Sequence, residues 1–511
     1  MNNFFLYSLC GIGASMALSC SKGDITDEER PNVILIYTDD VGYGDVAVYG
    51  GKIPTPNIDR IAQEGIRFTN AYATSATSTP SRFSLLTGEY AWREEGRGVV
   101  QGDAPSLIST DRDTWPKMMQ RAGYATSVVG KWHLGLGGED GPDWNGKIFP
   151  GPLETGFDYS YIIPATNDRV PTVYVKNHYV ENLDEDDPIK VSFDFNKGPI
   201  GDRPTGIDNP EKLKMMWSHG HNHTITNGIS RIGYMKGGES ALWRDEDIAD
   251  NLVDKSVDFI TNHKDEPFFL YFSTIDIHVP RIVHERFQGI TSYGPRGDMM
   301  VQLDWSVGAL LDVLEKYGLR DNTIVIFTSD NGPVLDDGYV DYAREMLGEH
   351  KPWGDFRGGK YSAFEAGTKV PFLVSWPNGI EKNRVNNALF SQVDFFASFA
   401  SFLDEEYSVD DAIDSKNHWD ALMGIDLYGR YSLVQHAIRD ELSYIRNDGF
   451  KFIPSNDGPE IVPWGTHIET GFSKKDQLYD LKSDPGETNN ISKRYPDLLD
   501  ELRMELEDKL K

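Results

Sequence analysis

The sequence predicts an α/β fold: a large, mostly parallel sheet sandwiched by helices, with a smaller C-terminal α+β subdomain. Three observations carry that reading. Several apolar, β-branched runs show no alternation, the pattern of strands buried on both faces of a parallel sheet. Amphipathic helical segments separate these runs, and strands linked in this way join through right-handed crossovers. Past about residue 430 the pattern changes to strand, tight turn, strand and a final helix.

The elements follow in chain order. Asn32–Tyr37 (NVILIY) is the first buried strand. Asn57–Glu64 reads as a helix, with Asn57 as N-cap and Gly65 just past its end. Thr114–Arg121 is helical, Gly123 stops it, and Tyr124–Val129 is the next strand. Residues 150–240 are poor in periodicity and rich in Gly, Pro, Asn and Asp, the composition of an insertion or of long loops. A helix over 244–262 places Ile248, Leu252, Val253, Val257 and Ile260 on one face. Pro267–Ser273 (PFFLYFS) and Thr323–Phe327 (TIVIF) are buried strands, separated by a helix at Asp304–Tyr317 that Gly318 closes. Val370–Ser375 resembles one more strand. Leu442–Arg446 and Phe450–Ile453 flank Asn447-Asp448-Gly449, a hairpin signal, and Pro496–Lys509 is the closing helix.

Composition narrows the function classes. The 511 residues are 39% hydrophobic and 25% charged, which excludes a membrane bundle, a collagen-like fibre and a mostly disordered chain. Fifty Lys and Arg against eighty Asp and Glu give a net charge of −30, so nucleic acid is excluded as the main partner. An anionic substrate would require a local knot of positive charge that overcomes this field. The two cysteines, Cys10 and Cys20, leave the body without a disulfide or a thiolate metal site. Residues 1–19 are uncharged with an apolar stretch over Phe4–Leu18, too short for a membrane span and fitting a secretory signal. Ala17-Leu18-Ser19-Cys20-Ser21 resembles a bacterial lipobox in which Cys20 is lipidated, with an ordinary cleaved signal as the alternative. The expectation is an exported protein, periplasmic or a lipoprotein of the outer membrane or cell surface. It would meet the membrane only through that anchor.

Each buried strand runs into polar residues: Thr38-Asp39-Asp40, Gly130-Lys131-Trp132-His133, Asp276-Ile277-His278 and Ser329-Asp330-Asn331. Ligands of open α/β sheets bind outside the carboxyl ends of the strands, so parallel, neighbouring strands would bring these groups to one site. Taken singly, each pair is also ordinary loop sequence. Asp39, Asp40, Asp330 and Asn331 are three carboxylates and an amide, which repel when packed unless a cation sits among them. All-oxygen ligands suit Ca²⁺ or Mg²⁺ rather than zinc, and an exported location favours Ca²⁺. Lys131 and His133 are two apart, so an extended segment would point both the same way.

Pro80 fits the first turn of a helix and Gly88 its end, which puts Ser78 at an anion-favouring N-terminus with Arg82 one turn on. The segment Ser78-x-Pro80-Ser81-Arg82-x-x-Leu85-x-Thr87-Gly88 resembles the signature of the formylglycine-dependent sulfatases, a family of the alkaline-phosphatase-like superfamily. In that family the leading Cys or Ser is oxidised to formylglycine, and Ser resembles the bacterial form. Glu89 departs from the pattern, where Arg is usual. The resemblance continues through Asp39-Asp40, Gly130-Lys131-Trp132-His133, His278-Val279-Pro280, Asp330-Asn331-Gly332, Gly359-Lys360, Glu365-Ala366-Gly367-Thr368-Lys369-Val370-Pro371 and Leu478-Tyr479-Asp480-Leu481.

The resemblance implies hydrolysis of a carbohydrate sulfate ester by formylglycine made from Ser78, with a maturase as partner during biogenesis. It implies Asp39, Asp40, Ser78, Asp330 and Asn331 as metal ligands, Lys131 and Lys360 as sulfate holders and His278 as general acid. Arg82 would brace the site and His133 would assist release of sulfate. A galactose or N-acetylgalactosamine sulfate is the expected substrate type. The alternatives are a metal-dependent phosphatase or phosphodiesterase of the same superfamily, and a non-catalytic sulfated-glycan binder. The expected organisation is a signal at 1–19, a tether at 20–30, a catalytic domain at 31–430 and an antiparallel subdomain at 431–511. His219-x-His221-x-His223 reads as zinc ligands, a sugar-contacting loop or plain surface. Trp92-Arg93, Trp353 and Arg357 are candidates to line the cleft.

Overall fold

A computed structural model describes residues 30–511, so the signal, the Cys20 lipidation and most of the tether lie outside the described residues. The main-sheet strands are β1 (Asn32–Thr38), β2 (Gly65–Phe68), β3 (Ala125–Lys131), β4 (Tyr159–Ile163), β5 (Val175–Lys176), β6 (Tyr179–Val180), β7 (Phe268–Ser273), β8 (Thr323–Ser329), β9 (Phe372–Ser375) and β10 (Arg384–Asn386). They form one ten-stranded sheet in the order β10-β2-β9-β8-β1-β7-β3-β4-β5-β6. The centre is parallel, with Leu35 of β1 level with Tyr271 of β7 and Ile326 of β8. The flanks turn antiparallel: β9 against β8 and β2, and β5 against β4 and β6.

Alternate residues of β1 explain its unbroken apolar run. Val33, Leu35 and Tyr37 enter one core with Phe83, Leu85, Trp115, Met118, Phe395 and Phe399, whereas Ile34 and Ile36 enter a second core with Ile58, Leu252, Leu303 and Leu310. The first core lies under α2 (Ser78–Thr87), α3 (Trp115–Arg121) and α6 (Phe395–Leu403). The second lies under α1 (Pro56–Gln63), α4 (Ile248–Asn262) and α5 (Gly294–Lys316). The strands of a doubly covered parallel sheet are near-continuously apolar, which leaves the strand ends as the place for charged side chains. A four-stranded antiparallel sheet of β11 (Ser432–His436), β12 (Leu442–Arg446), β13 (Phe450–Ile453) and β14 (Gln477–Asp480), with α7 (Pro496–Leu510) packed on it, follows. Its first strand stays joined to the main body through the bridge from His436 to Ser75.

Three readings are corrected. Thr55, not Asn57, is the N-cap of α1, because Pro56 takes the first helical position; Asn57 instead bonds Asp304 through its N–H (2.9 Å) and Nδ2 (2.8 Å). α5 begins at Gly294 rather than Asp304, since Pro295 is harmless in a first turn. The strand expected at Val370–Ser375 is present as Phe372–Ser375 and runs antiparallel to β8. Residues 150–240 are not all insertion, because Tyr159–Ile163 pairs parallel to β3 as a full member of the sheet.

Candidate active site

β8, β1, β7 and β3 are adjacent and parallel, so their carboxyl ends deliver Asp330-Asn331, Asp39-Asp40, His278 and Lys131 to one place. Asp40 turns the chain with a left-handed φ of 62°. From the other side α2 presents its first residue, Ser78, with Gly88 closing the helix at φ 73°. Ser78 Oγ lies 3.3 Å from Asp39 Oδ1, 3.5 Å from Asn331 Oδ1 and within hydrogen-bond reach of Asp330 Oδ2. Asn331 Nδ2 donates to Asp40 Oδ1 at 2.7 Å. Asp39, Asp40 and His278 offer ligand atoms within 4.8 Å of one another. All of the expected metal-site residues therefore meet, and nearly all are fully buried.

Three cations thread this acidic nest. Arg82 donates to Asp330 through Nε (3.1 Å) and Nη2 (2.8 Å). Lys131 Nζ lies 2.6 Å from Asp39 Oδ2 and 2.7 Å from Ser78 Oγ. Lys360 Nζ bridges Asp40 Oδ2 and Asp337 Oδ2, 3.0 Å from each. Burial pushes the Asp330 carboxyl up, but Arg82 and Lys131 more than reverse it and hold it low. Asp39 stays raised by burial and by Asp330, against the pull of Lys131. The nest therefore has more buried carboxylate than its cations neutralise. That deficit and the all-oxygen donors fit a hard divalent ion held by Asp39, Asp40, Asp330, Asn331 and residue 78. Lys131 and Lys360 stand against these carboxylates where a two-metal phosphatase would need further ligands.

The chain does not stay extended past Lys131, because His133 adopts φ 56°; Lys131 nonetheless bonds Ser78, and His133 lines the same cavity as Ser78. His133 Nε2 donates to the Val100 carbonyl (3.1 Å), which leaves Nδ1 buried and without a partner among the described residues. Burial and the nearby Lys131 depress this imidazole well below the usual histidine range. His278 Nδ1 faces two oxygens, Val279 O at 2.6 Å and Asn167 Oδ1 at 3.3 Å, while Nε2 looks into the nest, 3.9 Å from Asp40 Oδ2.

Above these groups opens a cavity of about 400 Å³, lined among others by Ser78, His133, His278, Lys360, Asp168, Arg169, His219, His221 and Trp464. His219 and His221 face it, whereas His223 is stacked on Phe195 with ring centroids 4.6 Å apart. The cleft candidates fall elsewhere: Trp92 and Arg93 line a cavity near α7, and Trp353 and Arg357 line another beside His467. Glu89, unusual at its position, is paired with Arg112. Sequence reasoning missed Asn167, Asp168 and Asp337. The first two follow the carboxyl end of β4, so the strand-end rule would have found them had YSYII been read as a strand.

A protein-family model for sulfatases matches residues 31–405. The chain is 50% identical over 500 residues, 97% of each chain, to an N-acetylgalactosamine-6-O-sulfatase of Bacteroides thetaiotaomicron. It is 28% identical to an N-acetylglucosamine-6-O-sulfatase of the same organism, over 94% of this chain and 86% of that relative. A solved sulfatase structure associated with glycosaminoglycan metabolism by that bacterium superposes with a TM-score of 0.92 at 51% identity, covering 94% of this chain and 99% of its own.

Proposed function

The chain belongs to the sulfatase family and is a sulfuric ester hydrolase; we propose that it removes the 6-sulfate from N-acetylgalactosamine units of a glycan. The observation that carries the reaction is the convergence of Ser78, His278 and Lys360 on a single cavity, with Lys131 hydrogen-bonded to Ser78 from behind. The sugar and the ester position rest on the likeness to the 50% identical relative. Residue 78 acts as formylglycine made from Ser78 by a maturase, and its hydrated form provides the attacking hydroxyl. Asp39, Asp40, Asp330, Asn331 and residue 78 would hold a divalent ion, calcium before magnesium, which would supply positive charge to the site.

The chain's own groups do the rest. Lys131, 2.7 Å from Ser78 Oγ, steadies negative charge at residue 78 and on a sulfate oxygen. Lys360 holds a second sulfate oxygen from the far side of Asp40. Because both neighbours of His278 Nδ1 accept, that nitrogen keeps its proton, so it is the second proton of the imidazolium, carried on Nε2, that passes to the sugar oxygen as the S–O bond breaks and leaves the ring neutral. His133, which lines the same cavity as Ser78 and whose neutral Nδ1 has no partner among the described residues, takes a proton from residue 78 as sulfate departs and the aldehyde returns. Arg82, fully buried and outside the cavity lining, braces Asp330.

Export belongs to the same proposal, supported by the uncharged apolar stretch before Cys20. Protein co-expressed with a formylglycine-generating enzyme is expected to convert N-acetylgalactosamine 6-sulfate to free sugar and sulfate. Absence of product from protein whose residue 78 is oxidised, as read by peptide mass, would overturn the assignment.

A further inference from the structure

One wall of the cavity has no part in the sulfate chemistry, yet it is built as tightly as the nest. Asp168, 2% exposed, accepts from Thr166 Oγ1, from Arg169 Nη1 (2.8 Å) and from His221 Nε2 (2.9 Å). Three of the four lone-pair positions of its carboxylate are thus taken and one is open. His221 spends its other nitrogen on the His219 carbonyl, Nδ1 to O at 2.8 Å. Two glycines make room for the rings. A Cβ on Gly338, at φ +102°, would stand 1.8 Å from His221 Nδ1, and one on Gly465, at φ +82°, would stand 2.8 Å from His219 Nδ1.

Against this order stand two unused polar atoms. Arg169 Nε and His219 Nε2 are buried without a hydrogen-bond partner among the described residues, and both side chains line the cavity. An unsatisfied buried polar atom is destabilising, and folded proteins keep few of them. Arg169 and Asp168 both line the cavity, and a guanidinium beside a carboxylate with one acceptor position open is complementary to adjacent sugar hydroxyls, each of which both donates and accepts.

We propose that Asp168, Arg169, His219 and His221 form the sugar-reading wall of the site, binding ring hydroxyls of a hexosamine and setting which epimer is accepted. This rests on the sulfated-sugar reading above. A site built to bond a hydroxyl rejects a sugar that turns it away, because its own polar groups are then left unpaired.

The test compares wild type with Arg169→Ala, Asp168→Asn and His219→Ala on three sulfates. These are N-acetylgalactosamine 6-sulfate, N-acetylglucosamine 6-sulfate and 4-nitrophenyl sulfate, which has no sugar. The expected result is a loss of about 100-fold or more in kcat/KM on the galactosamine ester. The preference between epimers should collapse and nitrophenyl sulfate turnover should stay near wild type. Calorimetric titration of N-acetylgalactosamine 6-sulfate into Ser78→Ala, with and without Arg169→Ala, reads the same wall without turnover and should show weaker binding in the double variant. Equal losses on all three sulfates, or unchanged epimer preference with unchanged binding, would overturn the wall. A wild type that neither cleaves nor binds the sugar sulfate would instead overturn the underlying reading.

Discussion

Replacing Arg82 with leucine is the sharpest probe of how the nest is held. The guanidinium is fully buried, donates twice to Asp330 Oδ2, reaches Ser273 Oγ and Tyr271 Oη (3.4 Å to the latter), and lies 5.1 Å over the Tyr37 ring. Without it, Asp330 is left with Lys131 at 3.6 Å as its remaining salt-bridge partner, and Lys131 already sits 2.6 Å from Asp39. One ammonium would serve two buried carboxylates. Removing one partner of a buried ion pair costs about 3–5 kcal/mol. With an unfolding entropy of roughly 2 cal/mol/K per residue, a body of about 480 residues loses about 1 °C per kcal/mol, so the melting temperature should fall by about 3–5 °C. Calorimetry on chelator-treated protein reads this directly. Arg82→Lys, which keeps the charge but not the fork, should fall by less. Added calcium should narrow the deficit, since the ion neutralises the same carboxylates. A leucine variant within 1 °C of wild type, or identical leucine and lysine variants, would refute the reasoning.

Lys360→Met should lower kcat/KM on the sugar sulfate by about 10²–10³, measured with saturating calcium, as expected for loss of one preorganised cation at a developing anion. Chelation should destabilise the protein, and calcium at about 100 times its Kd should restore about 2.7 kcal/mol, an effect that Asp40→Asn removes in thermal titrations. Away from the site, burial pushes Glu487 from 4.5 up to about 7, against Lys451. The folded state thus holds that proton, so this stabilising contribution is complete below about pH 4.5 and is lost as pH rises through about 7. Glu487→Gln should flatten the decline in melting temperature between pH 5 and 8; an unchanged slope would place the titration elsewhere.

The sheet centre was legible because a strand buried on both faces carries an unbroken apolar run, as Asn32–Tyr37 and Thr323–Phe327 do, and because such runs end abruptly in polar residues. That same rule brings Asp39, Asp40, Lys131, His278, Asp330 and Asn331 together from the sequence alone. What the sequence hides is pairing. Nothing in Val370–Ser375 marks it as antiparallel to β8, and YSYII reads as loop because Ser160 and two tyrosines interrupt its apolar run, although Ser160 and Tyr161 are buried. Single loop residues such as Asp337, which pairs with Lys360 at 3.0 Å, carry no periodic mark at all. The sugar-reading wall was partly visible in His219 and His221, but its anchor, Asp168, was lost with the strand that positions it.

The most direct test of the account is inorganic sulfate released from N-acetylgalactosamine 6-sulfate by maturase-treated wild type and Ser78→Ala in parallel. Steady release by wild type and none by the variant is the predicted result. Equal release by both, with wild-type residue 78 verified as oxidised, would contradict the claim that residue 78 is the nucleophile.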